Sequence, residues 1–368
     1  SSDLYSRAGR AKLRNINGCH TQDARGRLYE RFLEYVTDTN PLAIVIENVP
    51  DMMAYGGKNI AEIVSEELTD FGYTTGYTIL NSAHYGVPQA RERLILNAVR
   101  NEAIGDGAAN LPFPNPSHAF AVPRSLLAYR RHLNEASQGK RFWVEPFVTR
   151  DTDALPRAVT VSQALSDLPA VNQGESKTPP AERRPYALPD TSCSTFARLM
   201  RHWHGHPASD VAGHANRHTP RDYPIFAQMA PGEGYPQALK RAIKLYEETL
   251  ASRGISEGQA EAKELRKQMV PPYDPSKFPN KWWKLDGARP SRTLTAHMGK
   301  DTYSHIHYSE PRMVTVREAA RLQSFPDTFE FNWGMGHAFR QIGNAVPPLM
   351  AAAIAKSLSN FLRQAGKP

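Results

Sequence analysis

The sequence predicts an α/β fold joined to a less regular region, and three features carry that expectation. Residues 27–100 alternate amphipathic stretches with short apolar runs, the ends of those runs are polar, and from about residue 101 the periodicity fades as proline, arginine and histidine become frequent. With 368 residues the chain can bury the core of one large domain or of two ordinary ones.

Taken in order, residues 28–36 have the spacing of an amphipathic helix, and 43–46 form a short apolar strand that stops at Glu47. A second helix is expected over 60–69. Strands follow near 73–80 and 93–99, divided by the turn-forming His84-Tyr85-Gly86-Val87-Pro88. Open α/β sheets bind ligands beyond the carboxyl ends of their strands, which puts Glu47 and Asn48 where chemistry is expected. The next regular stretch, 237–269, is helical; its Lys240, Arg241, Lys244, Glu247 and Glu248 read as a solvated face beside apolar Ile243, Leu245 and Leu250. Regular structure resumes after Pro290, with 293–295 strand-like, 316–323 an amphipathic helix, and 347–361 a helix opened by prolines.

Composition narrows the function. Lys+Arg 45 against Asp+Glu 37 gives a formal charge of +8, which favours an anionic partner such as nucleic acid. Two cysteines, Cys19 and Cys193, permit at most one disulfide and fit a reducing compartment. No apolar run is expected to span a bilayer, so a membrane partner is not expected, and no secretory leader pattern follows Ser1. His202, His204, His206, His214 and His218, with Cys193 nearby, lack a standard metal-ligand spacing. Phosphate contacts or loop packing are expected of them, and no metal.

Chemistry concentrates in a few segments: Glu47-Asn48-Val49, then Gln89-Ala90-Arg91-Glu92-Arg93, then Arg317 to Pro326, and last Gln341-Ile342-Gly343-Asn344-Ala345-Val346-Pro347-Pro348. In this order, with a long intervening stretch between the second and third, the chain resembles the DNA (cytosine-5)-methyltransferases of bacterial restriction-modification type. The likeness covers roughly 5–100 and 285–360 and is extended by Tyr223 to Met229 and by Thr293 to Met298. It implies an S-adenosylmethionine-dependent, Rossmann-like sheet, incomplete here in its N-terminal half, plus a smaller target-recognition domain. On that reading 1–100 is part of the catalytic domain, 101–290 reads the DNA target, and 291–368 returns to the catalytic domain. Double-stranded DNA is the implied partner and the bacterial cytoplasm, at the nucleoid, the implied location.

The reaction explains the residue types. Cytosine C5 is a poor nucleophile, so the family adds a cysteine thiolate to C6, after which C5 accepts a methyl group from S-adenosylmethionine. Charge builds on the ring, and a carboxylic acid at N3 neutralises it; Glu47 is the candidate. Arg91 and Arg93 alternate along an incipient strand and so share a face, toward a flipped base and its backbone, with O2 of the base assigned to Arg93 by the resemblance. Guanidinium is planar, permanently charged and able to make paired hydrogen bonds, which suits both targets. Asn344 and Ala345 correspond to the segment that closes the cofactor pocket. Arg317 to Pro326 reads as architectural.

The resemblance fails at two points. No Phe-x-Gly-x-Gly cofactor loop occurs in the sequence, and the cofactor site is therefore expected to be only partly present. Tyr5-Ser6-Arg7-Ala8-Gly9 matches the tail of the nucleophile motif, which puts Ser2 at the cysteine's place and Asp3 at the glutamine's. A serine hydroxyl is far less nucleophilic than a thiolate, and Cys19 lies too far along to align. The expectation is the C-terminal part of a methyltransferase, inactive alone and open to completion by an N-terminal companion polypeptide. A non-catalytic DNA-binding or regulatory relative is the alternative, and an RNA methyltransferase of the same fold ranks last.

Overall fold

The computed structural model describes residues 28–104, 111–137, 139–147, 154–171, 182–332 and 334–365. These pack as two compact units, one from the described residues within 28–86, 90–158 and 348–365, the other from 87–89 and 159–347. The described residues of 111–158 pack with the first strands. Ser1 to Leu4, the segment from Tyr5 to Gly9, and Cys19 lie outside the described residues.

In the first unit, α1 (Leu28–Thr39) leads into β1 (Ala43–Asn48), α2 (Ile60–Asp70) into β2 (Tyr73–Asn81), and β3 (Glu92–Arg100) follows. β3 lies between the other two and is antiparallel to both, so β1 and β2 run the same way. Pairing of Ile44 with Ala98, Ile46 with Leu96, Tyr77 with Leu96 and Ile79 with Leu94 puts these apolar residues on one face. That face buries Leu33 and Val36 of α1, Ala61, Val64 and Leu68 of α2, and Leu133 of α3 (Arg124–Ser137). The other face carries Glu47, Thr78, Leu80, Arg93 and Ile95, and its far end packs Val99 and Leu111 against Leu358 of the C-terminal helix, Pro348–Gln364.

Helix α2 begins where the Asn59 side chain accepts the Glu62 N–H at 3.1 Å. Glu62 is buried but satisfied, accepting from the Tyr77 hydroxyl at 2.8 Å and the Arg141 N–H at 2.8 Å. The turn after β2, a 3-10 helix over Ser82–Tyr85, closes at Gly86 with φ +77°, where a Cβ would stand 3.0 Å from the His118 ring. Only glycine suits that position.

The second unit is largely helical: α4 (Val161–Leu165), α5 (Thr195–Arg201), α6 (Tyr223–Gln228), α7 (Tyr235–Arg253), α8 (Ala260–Met269), α9 (Val316–Leu322) and α10 (Met335–Asn344). Four expectations need correction. The helical stretch 237–269 is two helices, broken where Gly254 takes φ +66°. Residues 293–295 are not a strand: the short strand is Ser291–Arg292, and the Leu294 N–H is taken by the Gln89 side-chain oxygen at 2.8 Å. Helix α9 is not amphipathic in place, since all seven of its residues are buried, charged ones included. Finally, Met335–Gln364 reaches the length and mean hydropathy, 1.2, of a membrane-crossing helix, although it is interrupted at Ala345–Pro347 and forms two helices.

Buried histidines, His305 and His307 among them, make the second unit sensitive to acid. Burial pushes the His305 pKa down to about 3 and the His307 pKa to about 4, from the usual 6.5. Both are neutral when folded, and the unfolded chain takes up protons first. Their contribution is therefore complete above pH 6.5 and is lost as pH falls toward the folded values, at up to about 1.4 kcal/mol per pH unit for each group. Urea unfolding followed at pH 7, 6 and 5 should show a falling midpoint, and His307→Gln should flatten that fall; an unchanged slope in the variant would contradict the assignment.

Candidate active site

The strand register builds the acid-guanidinium cluster. Glu47 pairs with Ile95, so Arg93, two residues along β3 on the same face, is its diagonal neighbour. A long side chain spans that gap, and Arg93 Nε reaches Glu47 Oε1 at 2.7 Å. Arg93 also donates from Nη1 to the Glu92 carbonyl at 2.7 Å, which orients the guanidinium from a second side. Glu47 keeps 21% of its side-chain surface exposed and Arg93 12%, whereas Arg91 is fully buried.

Burial lowers the Arg93 pKa, and the Glu47 carboxylate opposes the shift. For Arg91 burial is again the largest cause, the Arg93 charge adds to it, and Glu47 acts the other way. Arg91, Arg93 and Glu47 therefore feel one another's charge, and the structure brings all three together in the first unit. Backbone bonds fix the start of the strand: the Ser82 N–H donates to the Arg91 carbonyl at 2.9 Å, and the Arg91 N–H to Ser82 Oγ at 3.3 Å. Asn48, next to the acid, is buried and accepts the Val49 N–H at 2.8 Å.

Asn344 and Ala345 belong to the second unit. Asn344 ends α10 and is exposed, and the Ala345 carbonyl accepts from Gln323 Nε2 at 2.7 Å. Helix α10 sits close on the 3-10 turn Ala296–Gly299, because Gly336 and Gly343, two turns apart, carry no side chain; a Cβ on Gly343 would lie 2.2 Å from the Thr295 carbonyl carbon. Gln89 ties the same region together, bonding the Gln323 side chain and donating to the Leu322 carbonyl at 3.2 Å. The first residue of the Gln-Ala-Arg-Glu-Arg segment is thus structural.

The remaining candidates are placed as follows. His202 meets Asp190 at 2.5 Å, and His214 is buried between Thr315 Oγ1 at 2.9 Å and the Pro169 carbonyl at 2.7 Å. Among the described residues no group of three His, Cys, Asp or Glu could hold a metal ion. Cys193 is a free, buried thiol over the Asp190 carbonyl. A cavity of about 350 Å³ in the first unit, lined by Tyr73, Thr75, Gly76, Asn101, Arg141 and Trp143 among others, includes neither Glu47 nor either arginine of the cluster. Sequence reasoning missed Arg130, whose Nε lies 2.5 Å from Glu92 Oε1. No local signal could have paired residues 38 apart.

The first unit is thus an α/β sheet with an acid held by arginine at a strand end. The chain belongs to the C-5 cytosine-specific DNA methylases, which it matches over residues 5–360. It is 42% identical over 98% of its length to a protein of Oceanobacillus iheyensis named as a type II methyltransferase, M.OihORF3336P, covering 78% of that protein. It is 30% identical over 91% of its length to the type II methyltransferase M.AgeI of Thalassovita gelatinovora, covering 77% of it. Among solved structures, a chain from an E. coli prophage named as a DNA modification methyltransferase aligns over 93% of this chain and 75% of its own, with a TM-score of 0.58 at 20% identity. That last likeness concerns the fold alone.

Proposed function

We propose that this chain carries the acid and guanidinium part of a cytosine-C5 methyl transfer on double-stranded DNA, within a type II restriction-modification system of the bacterial cytoplasm and nucleoid. The observation that carries the reading is the Glu47–Arg93 pair at 2.7 Å, with Arg91 buried beside it. S-adenosylmethionine, when bound, supplies the methyl group. Glu47 hydrogen-bonds N3 of an extruded cytosine and offsets the charge that develops on the ring as C6 is attacked. Arg93 holds the carboxyl through Nε and turns its remaining donors to O2 of the base, while Arg91 fixes the field around them. Extruding the base costs a few kcal/mol, which the charge of +8 offsets through phosphate contacts.

The exposed Asn344 amide and the pinned Ala345 fit one edge of a cofactor site. They are too few to enclose the whole molecule. Residues within 101–290 read the target.

Because Ser2 stands where the family has its cysteine, these 368 residues offer no thiolate at the motif position. The 368-residue polypeptide alone should then transfer no tritiated methyl group from S-adenosylmethionine to DNA, and addition of a segment bearing the Pro-Cys-Gln motif, in cis or in trans, should start the reaction. Methylation by the polypeptide alone would refute this part of the proposal. A non-catalytic DNA-binding relative is the second reading, favoured by the same serine; it requires that no added segment restores activity.

A further inference from the structure

Glu92, between the two arginines, has no role in the chemistry above. Alternation turns its side chain to the opposite face of β3, beside Asn81, its partner across the ladder. There it is 6% exposed and accepts from Arg130 Nε of α3 at 2.5 Å, Arg130 being 4% exposed. The backbone carbonyl of the same Glu92 receives Arg93 Nη1 at 2.7 Å, and Arg93 Nε lies 2.7 Å from Glu47. Three consecutive polar contacts therefore run from α3 through the strand to the acid.

Stability alone does not call for an ion pair here. Burying two charges costs several kcal/mol of hydration each, and well-packed apolar residues often serve a core equally well. Glu92 Oε2 and Arg130 Nη1 are moreover buried without a hydrogen-bond partner among the described residues. What the pair adds is direction: a single-donor contact fixes where the first residue of β3 sits, and with it the carbonyl that orients Arg93.

We propose that Glu92 and Arg130 are positioning residues for methyl transfer, holding the start of β3 so that Arg93 keeps Glu47 in place, an inference that rests on the reading of Glu47 and Arg93 above. The test uses protein made from its whole reading frame, sonicated unmethylated genomic DNA and tritiated S-adenosylmethionine, with thermal unfolding as the check on folding. Glu92→Gln should lower kcat about tenfold or more while both KM values stay within about twofold. Arg130→Lys keeps the charge but moves the donor, and should lose a smaller part of kcat; it also decides the matter if Glu92→Gln does not fold. Glu92→Gln combined with Arg130→Gln should cost no more than the worse single change, since both remove one link.

A folded Glu92→Gln, or failing that a folded Arg130→Lys, with unaltered kcat overturns the inference. If Glu47→Gln is inactive in the same assay, the catalytic reading survives that outcome. If Glu47→Gln is fully active, the catalytic reading fails and takes this inference with it.

Discussion

Glu47→Gln, in protein made from its whole reading frame, is expected to reduce methyl transfer by about a hundredfold to ten-thousandfold, with binding of duplex DNA nearly unchanged. Glutamine has the same shape and still faces Arg93, so the strand and its register should persist. It cannot carry the charge or the proton that a ring nitrogen demands as C6 is attacked. Arg93→Lys should be less severe: lysine keeps a positive charge near Glu47 but offers one centre in place of a planar fork, and so cannot hold the acid and a base oxygen together. Single-turnover methylation at saturating cofactor separates these effects from binding. Retention of more than about a tenth of the rate by Glu47→Gln would be too small a loss for general acid catalysis.

Arg321→Met should destabilise the second unit by about 3–5 kcal/mol, the largest stability effect anticipated in the chain. Arg321 is fully buried in α9 and meets Asp327 at 2.6 Å and Asp167 at 3.0 Å. Asp167 is shared with Arg201 of α5 at 2.7 Å, and Asp327 accepts the Tyr186 hydroxyl at 2.7 Å. The Arg321 guanidinium also donates to the Ala164 carbonyl of α4 at 2.9 Å, so it ties α9 to α4 directly and to α5 through Asp167. The two acids hold the Arg321 pKa far above its usual value despite burial, and Arg321 in turn keeps Asp327 below the carboxylate range. Methionine would fill the volume and leave two buried carboxylates short of their partner. Urea unfolding of the variant measures the loss, and a change below about 1 kcal/mol would show that Arg201 and Tyr186 suffice.

These charged helices also explain what the sequence conceals. Residues 28–100 were legible because each strand has one apolar face and each helix an apolar stripe, so periodicity and burial agree. Helices α5 and α9 bury Arg201, Arg317, Glu318 and Arg321, residue types that a hydropathy reading sends to the surface, and α9 was accordingly read as amphipathic. Helix α10 was overlooked because its two contact positions are Gly336 and Gly343, which carry weak helical preference and become informative only once the 3-10 turn lies against them. At the site, alternation put Arg91 and Arg93 on one face, and strand pairing then supplied what spacing could not: the diagonal that brings Glu47, 46 residues before Arg93, to 2.7 Å. Arg130 needed α3 to be folded onto the sheet before its role was visible.

On the proposed function, the Glu47 carboxyl, held by Arg93, faces an extruded cytosine. A crystal structure of the protein made from its whole reading frame, on a duplex containing its own methylation site, would show this. The target base is expected out of the helix, with Glu47 at about 3 Å from N3 and Arg93 turned to O2. A cytosine still stacked in the duplex, or one bound away from Glu47 and Arg93, would contradict it.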